Sequence, residues 1–323
     1  MKYLHLKTTD PYVNLAIEEY LFENSDDDVF LLWQNSPTVV IGKNQNAYAE
    51  IDHEYLREHN ILIARRITGG GAVYHDLGNV NYTFISKARS EGIDFKFFTS
   101  PIVEALSSIG VKCELSGRND LLVAGKKISG NAQCTKKGRV LHHGTLLFDS
   151  DLNVLSAVLK VDEEKIKAKA LKSTRSRVAN IKSFLNESYA TEHFIEKIED
   201  FVIKKFSPEI LDIPINADII KYSERNSSPE WIFPKSEFLS SYNLFFKRKY
   251  DFGLVSINVE MMTDTIKSIK ISGDFFGNKP VENLEKILSN TSLFEIDNIL
   301  SKVNIEDYIH GMTNSQFVEL IRR

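Results

Sequence analysis

Arg65-Arg66-Ile67-Thr68-Gly69-Gly70-Gly71-Ala72-Val73-Tyr74-His75-Asp76 is the stretch on which the fold turns. An apolar run, Ile61-Leu62-Ile63, leads into it, and an apolar pattern resumes through Tyr82-Thr83-Phe84-Ile85. The pattern is strand, glycine turn, strand. Bare backbone N–H groups beside two guanidinium groups suit a phosphorylated or carboxylate ligand pressed against main chain. The competing reading is a tight hairpin with solvated arginines.

Two other glycine loops are excluded by spacing. A dinucleotide fingerprint beginning at Gly69 needs a small residue where Tyr74 stands, and a helix rather than a strand beyond it. A Walker loop ending in Gly125-Lys126 needs glycine at the place of Asp120 and Ser or Thr at the place of Lys127. A nucleotide bound here therefore sits on a sheet.

Working outward, Asp10 and Pro11 open a helix to Glu23, with Val13, Ile17, Tyr20 and Leu21 at helical spacing. Strands are expected at Val29–Trp33 and Thr38–Gly42, then a short helix from Asp52 to Glu58. A helix from Pro101 to Ile109 precedes apolar runs at Val111–Leu115, Leu121–Val123 and Leu146–Phe148. This is not the regular alternation of a doubly wound fold; it predicts α+β, a mixed sheet with flanking helices. Lys160 to Lys182 carries eight Lys or Arg against three acidic residues, either a solvated helix face or a basic surface for an anionic ligand or partner. Ser223 to Pro234 reads as a linker. Strands at Gly253–Val259 and Ile266–Ile271, with helical patterns at Val281–Leu288, Ile296–Val303 and Gln316–Arg323, predict a small second α+β domain. The expected division is residues 1–245 and 246–323.

Composition excludes several classes. With 323 residues, 42% hydrophobic and 26% charged, the chain is ordinary for a globular protein long enough for two domains. A net charge of −4 argues against bulk nucleic-acid binding. Met1 to Leu6 has no sustained apolar run and no stretch reaches membrane-spanning length. Cys113 and Cys134 form no disulfide framework, so a cytoplasmic protein is expected. No membrane or nucleic-acid partner is expected, and the chain is expected to be a monomer.

Two further constellations carry chemistry. Gly117-Arg118-Asn119-Asp120 precedes a hairpin that turns at Ala124-Gly125 and returns through Lys126-Lys127-Ile128-Ser129-Gly130-Asn131. A strand-borne lysine can hold its ammonium in a cleft against developing negative charge, and an Asn-Asp pair offers oxygens to magnesium or nucleotide hydroxyls. An exposed hairpin with surface lysines is the bland alternative. In His142-His143-Gly144-Thr145, adjacent strand residues face opposite ways, so the rings suit a site wall better than shared chelation.

Together these motifs, in this order and with Ser176-Arg-Val-Ala-Asn-Ile181, resemble the lipoate–protein ligases. The resemblance implies a biotin/lipoate ligase-like catalytic domain with a small C-terminal accessory domain. It also implies a two-step, lipoate-scavenging reaction, in which ATP with magnesium and lipoate form lipoyl-AMP. The lipoyl group then passes to a lysine of an apo lipoyl carrier, a 2-oxoacid dehydrogenase acyltransferase subunit or glycine-cleavage H protein. Carried over by position, Lys127 would contact both the lipoyl carbonyl and the adenylate phosphate. Arg66 and the main chain of Gly71, Ala72, Val73 and Tyr74 would hold the nucleotide, with Asn119 and Asp120 near ribose and magnesium. Gly70, Gly71, His75 and His143 would border lipoate, and Val73, Val80 and Tyr82 are candidate tunnel walls. The rival within the same fold is an ATP-independent lipoyl or octanoyl transferase acting through Cys134.

Overall fold

A computed structural model of the chain describes residues 1–89, 92–158, 177–234 and 241–322. Its strands are β1 (Lys2–His5), β2 (Val29–Trp33), β3 (Thr38–Ile41), β4 (Leu62–Arg65), β5 (Val73–His75) and β6 (Asn79–Lys87). They continue through β7 (Glu114–Ser116), β8 (Asp120–Val123), β9 (Lys126–Lys136), β10 (Arg139–Leu147) and β11 (Glu209–Ile210). A large sheet runs β11-β1-β2-β6-β10-β9-β8-β7, and a small one β4-β3-β5. In the large sheet β1 is parallel to β11 and β2, while β2, β6, β10, β9 and β8 pair antiparallel in turn. In the small sheet β3 lies parallel to β4 and antiparallel to β5. The sheets are mixed, as the irregular rhythm of apolar runs implies.

Helix α1 (Pro11–Asn24) starts where Asp10 Oδ1 accepts from the backbone N–H groups of Tyr12 and Val13, at 2.8 and 3.2 Å. Its apolar residues Leu15, Ile17 and Leu21 pack with Leu31, Trp33, Ile85 and Leu141 on one face of the large sheet. The opposite face carries Phe30, Tyr82, Phe84 and Phe148 under the helices Phe95–Ser108 and Thr191–Phe206. The α1 face also meets the small sheet, and the cleft between the two sheets is where the site lies.

Three expectations need correction. The helix read from Pro101 begins at Phe95, because Asp94 Oδ1 caps it by accepting from Phe97 N at 3.0 Å, and Pro101 sits in its interior. The linker read at 223–234 is largely helical. Asn216 caps Ala217–Ser227, Ser228 caps Pro229–Ile232, and Ile219 is buried against α1. Val80 and Tyr82 belong to the core under Phe95–Ser108, on the face away from the cleft.

Of the basic segment, residues 160–176 lie outside the described residues. Where the chain is described again, Val178 forms a parallel bridge with Lys127, and Ala179 N donates to Lys127 O at 2.9 Å. A third sheet follows: β12 (Leu244–Tyr250), β13 (Gly253–Met262), β14 (Thr265–Gly273) and β15 (Thr291–Ser292), in that order. With the helices Val281–Leu288 and Asn314–Ile321 it encloses its own core of Val255, Ile257, Ile271, Leu284 and Phe317. Among the described residues no helix is long and apolar enough to cross a membrane.

Candidate active site

A cavity of about 230 Å³ lies between the two sheets. Leu15, Trp33, Val40 and Val73 form an apolar part of its wall; Arg118, Asn119, Asp120, Lys127 and Asp274 form a charged part. The sheet order separates the two. Trp33 on β2 and Lys127 on β9 are three strand steps apart, roughly 14 Å at ~4.8 Å per step. Of the residues the motifs single out, Arg66, Gly71, Ala72, Val73, His75, Asn119, Asp120, Lys127 and His143 border the cavity. Gly70 and Tyr74 do not: Gly70 is packed against the Phe276 ring, and Tyr74 faces the core beneath the small sheet.

The charged end is held by β8 and β9. Ala124 and Gly125, at φ 49° and 75°, make the tight turn that sets these strands side by side. Lys127 Nζ then lies 2.7 Å from Asp120 Oδ1, with both side chains about one-third exposed (35% and 34%). The lysine is paired but open to a ligand.

The two arginines of the opening stretch are buried and hold main chain. Arg65 donates to the carbonyls of Lys43, Gln45 and Ile232 at 2.9, 2.7 and 2.6 Å. Arg66 donates to Val40 O at 3.1 Å and, through Nη2, to Gly69 O and Gly71 O at 2.7 and 2.8 Å. Neither is the solvated side chain of a plain hairpin. Arg66 borders the cavity, but its bonds brace the glycine loop. Burial pushes its pKa down to about 10, with Glu18 pulling the other way, so it remains a cation near neutrality.

Glu18 belongs to a chain of bonds that the motif reading did not contain. Trp33 Nε1 donates to Thr83 Oγ1 at 3.0 Å, and Thr83 Oγ1 donates to Glu18 Oε1 at 2.6 Å. His143 Nδ1 lies 2.8 Å from the same oxygen, and its Nε2 lies 2.8 Å from Thr68 Oγ1, which takes the Arg66 Nε proton at 3.0 Å. A carboxylate only accepts, so His143 donates through Nδ1 to Glu18, while its Nε2 meets the Thr68 hydroxyl. The buried carboxylate of α1 is thereby wired to the glycine loop. The signal available in the sequence was Glu18-Glu19 within an otherwise apolar helix pattern.

His142 and His143 point to opposite faces, as strand geometry requires. His142 stacks on Phe98 at 5.1 Å in the core, where burial drives its pKa far below the ordinary value. Cys134 does not border the cavity. It packs with the α1-side core beside another hollow lined by Glu19, Phe22 and Lys43, and burial pushes its thiol up to about 12.

The second domain closes part of the wall. Asp274 borders the cavity, Phe275 O accepts from Gly70 N at 3.2 Å, and Gly273 N donates to Asn44 O at 2.8 Å. Arg118 bonds the Phe252 carbonyl, and its guanidinium sits 4.6 Å from the Phe276 ring centre. No motif reaches this far along the chain, so these partners were invisible in the sequence.

Both parts of the chain match known protein families. Residues 10–203 match the lipoyl protein ligase A/B catalytic domain, and residues 240–321 match the bacterial lipoate protein ligase C-terminus. The chain is 40% identical to lipoate-protein ligase LplJ of Bacillus subtilis (strain 168), covering 97% of each chain. A solved structure of a bi-partite lipoate protein ligase and its E2 lipoyl domain from Thermoplasma acidophilum aligns with 30% identity and TM-score 0.63. It covers 72% of this chain and 95% of that one. A lipoate-protein ligase A bound with ATP aligns with 28% identity and TM-score 0.60, covering 72% and 98%. Two ligase domains in sequence, folded around a cavity apolar at one end and charged at the other, identify this enzyme as a member of the lipoate–protein ligase family.

Proposed function

We propose that the protein activates lipoate with ATP and transfers the lipoyl group to one lysine of an apo lipoyl carrier, an acyltransferase subunit of a 2-oxoacid dehydrogenase or glycine-cleavage H protein. The observation that carries this is a single cavity with an apolar wall at Trp33 and a Lys127–Asp120 pair at the opposite end. An eight-carbon acid needs the first, and adenylation of its carboxylate needs the second. The ligase solved with ATP and the one studied with its E2 lipoyl domain support the same reading.

In the first step a lipoate carboxylate oxygen attacks the α-phosphorus of ATP and pyrophosphate leaves. Two anions approach each other, and the Lys127 ammonium offsets their repulsion at the reacting oxygens. Main chain from Gly71 to Val73, braced by Arg66, lines the nucleotide side. Asp120 beside Asn119 would hold a magnesium ion brought with the nucleotide, which would offset phosphate charge. In the second step the carrier amine attacks the acyl carbon, AMP leaves with the bonding electron pair, and the amine proton passes to solvent. The Cys134 route is disfavoured, because that thiol is off the cavity and held protonated.

Intact-mass spectrometry of an apo lipoyl domain, incubated with the enzyme, lipoate and magnesium, tests the proposal. A lipoyl increment that requires ATP is expected. An increment without ATP from an acylated donor protein, abolished by Cys134→Ala, would overturn it.

A further inference from the structure

His75 lines the cavity, is 3% exposed, and makes no hydrogen bond at Nε2 among the described residues. Its other nitrogen is fully specified. Nδ1 lies 3.0 Å from Asn35 Nδ2. The Asn35 amide cannot be turned over, because its Oδ1 receives Asn14 Nδ2 at 2.9 Å. Asn14 is itself oriented by main chain, since carbonyls only accept: its Nδ2 faces Thr8 O and Gln34 O at 3.1 and 2.8 Å as well as Asn35 Oδ1, its two protons being shared among the three acceptors. Two backbone carbonyls thus set Asn14, Asn14 sets Asn35, and Asn35 makes Nδ1 an acceptor. The neutral ring must then carry its proton on Nε2. Burial, with Arg66 and His143 adding to it, holds the imidazole neutral by pushing its pKa down to about 3.

The place of this donor along the cavity gives it a use. The His75 ring meets the Trp33 ring edge-on at 5.9 Å, at the β2 end of the site, opposite the Lys127–Asp120 pair. An acid whose carboxylate sits at Lys127 reaches toward Trp33 with the far end of its chain, since an extended eight-carbon chain spans roughly 9 Å. Around that end the wall is Leu15, Trp33, Val40 and Val73, all apolar but for His75 and the indole N–H already given to Thr83.

Resting on the proposed function, we infer that His75 is a specificity-determining residue: its Nε2–H, aimed by Asn35 and Asn14, recognises a sulfur of the dithiolane ring and discriminates lipoate from octanoate. Sulfur is a weak acceptor but an acceptor, whereas a terminal methyl is none. Octanoate covers the donor and leaves it buried and unsatisfied, a penalty worth about tenfold or more in affinity. Asn35 is a positioning residue that acts through the tautomer.

The test is the ratio of kcat/KM for lipoate to that for octanoate, read with ATP, magnesium and an apo lipoyl domain. His75→Phe keeps an aromatic ring and removes the donor; the ratio is expected to fall about tenfold. Asn35→Asp still accepts from Asn14 but now takes the His75 Nδ1 proton. Its ratio should fall at high pH and recover at lower pH, where the ring regains a proton at Nε2; a merely structural defect would not move with pH in this way. In the unaltered protein, the His75 Nε2–H resonance in 15N–1H spectra should shift with lipoate and much less with octanoate. Ratios within twofold of the wild type in both variants, or equal resonance shifts with the two acids, overturn the inference. A wild-type protein that attaches neither acid with ATP overturns the proposed function instead.

Discussion

Lys127 is tied at both ends: its ammonium to Asp120, and its carbonyl to the N–H of Ala179. The first tie fixes where the charge stands, and the second fixes the strand that carries it. Lys127→Ala should therefore lower the rate of lipoate-dependent pyrophosphate release by 100-fold or more, the loss of about 3 kcal/mol of transition-state stabilisation. Melting temperature measured alongside should change little, since this side chain is one-third exposed. The buried histidines make a second prediction. An unfolded His75 titrates near 6.5, and the folded one is held down to about 3. Below pH 6.5 the unfolded chain binds the proton and the native one does not, so stability is fully present above that pH and is lost as pH falls toward 3. Between pH 6.5 and 5 His75 alone accounts for about 2 kcal/mol of that loss. His142, also held neutral by burial, adds to it in the same direction. Urea midpoints at pH 7 and pH 5 should show the decline, and His142→Phe should flatten it.

At the scale of the elements, the glycine loop is a junction between layers. A Cβ on Gly69 would fall on the carbonyl oxygen of Phe275, and one on Gly70, at φ +89°, would lie 2.9 Å from the Phe276 ring. A Cβ on Gly71 would meet only the Asp274 Cβ, at an ordinary 3.8 Å. Gly69→Ala is accordingly expected to destabilise by about 2 kcal/mol and Gly71→Ala by less than about 0.5 kcal/mol, as read by urea unfolding. The loop itself, α1 and the strands Val29–Trp33 and Asp120–Val123 were legible in the sequence, because caps, turns and apolar runs mark them locally. What was not legible followed from burial on two sides. All of β6 from Asn79 to Ile85 is buried, so apolar alternation could not say that Val80 and Tyr82 face away from the cavity. Likewise Glu18, Asn35 and Thr68 bond partners 21 to 125 residues distant in the chain, beyond any local pattern.

Across the whole molecule, the second domain is docked by few but directional contacts. Phe276 lies under the Arg118 guanidinium and 5.3 Å from the Phe95 ring, while its neighbour Phe275 accepts from Gly70 N. Phe276→Ala should loosen this seat, and faster hydrogen exchange at the Gly70 amide, measured by NMR or mass spectrometry, is the expected readout. Protection unchanged at Gly70 would show that the seat does not depend on that ring.

One consequence concerns the order in which the chain is made. Lys127, the glycine loop and His75 all leave the ribosome well before Asp274, which completes the cavity from the second domain. A chain halted before residue 274 holds the chemistry with one wall open to water, so the finished pocket is a property only of a protein whose synthesis has passed that point.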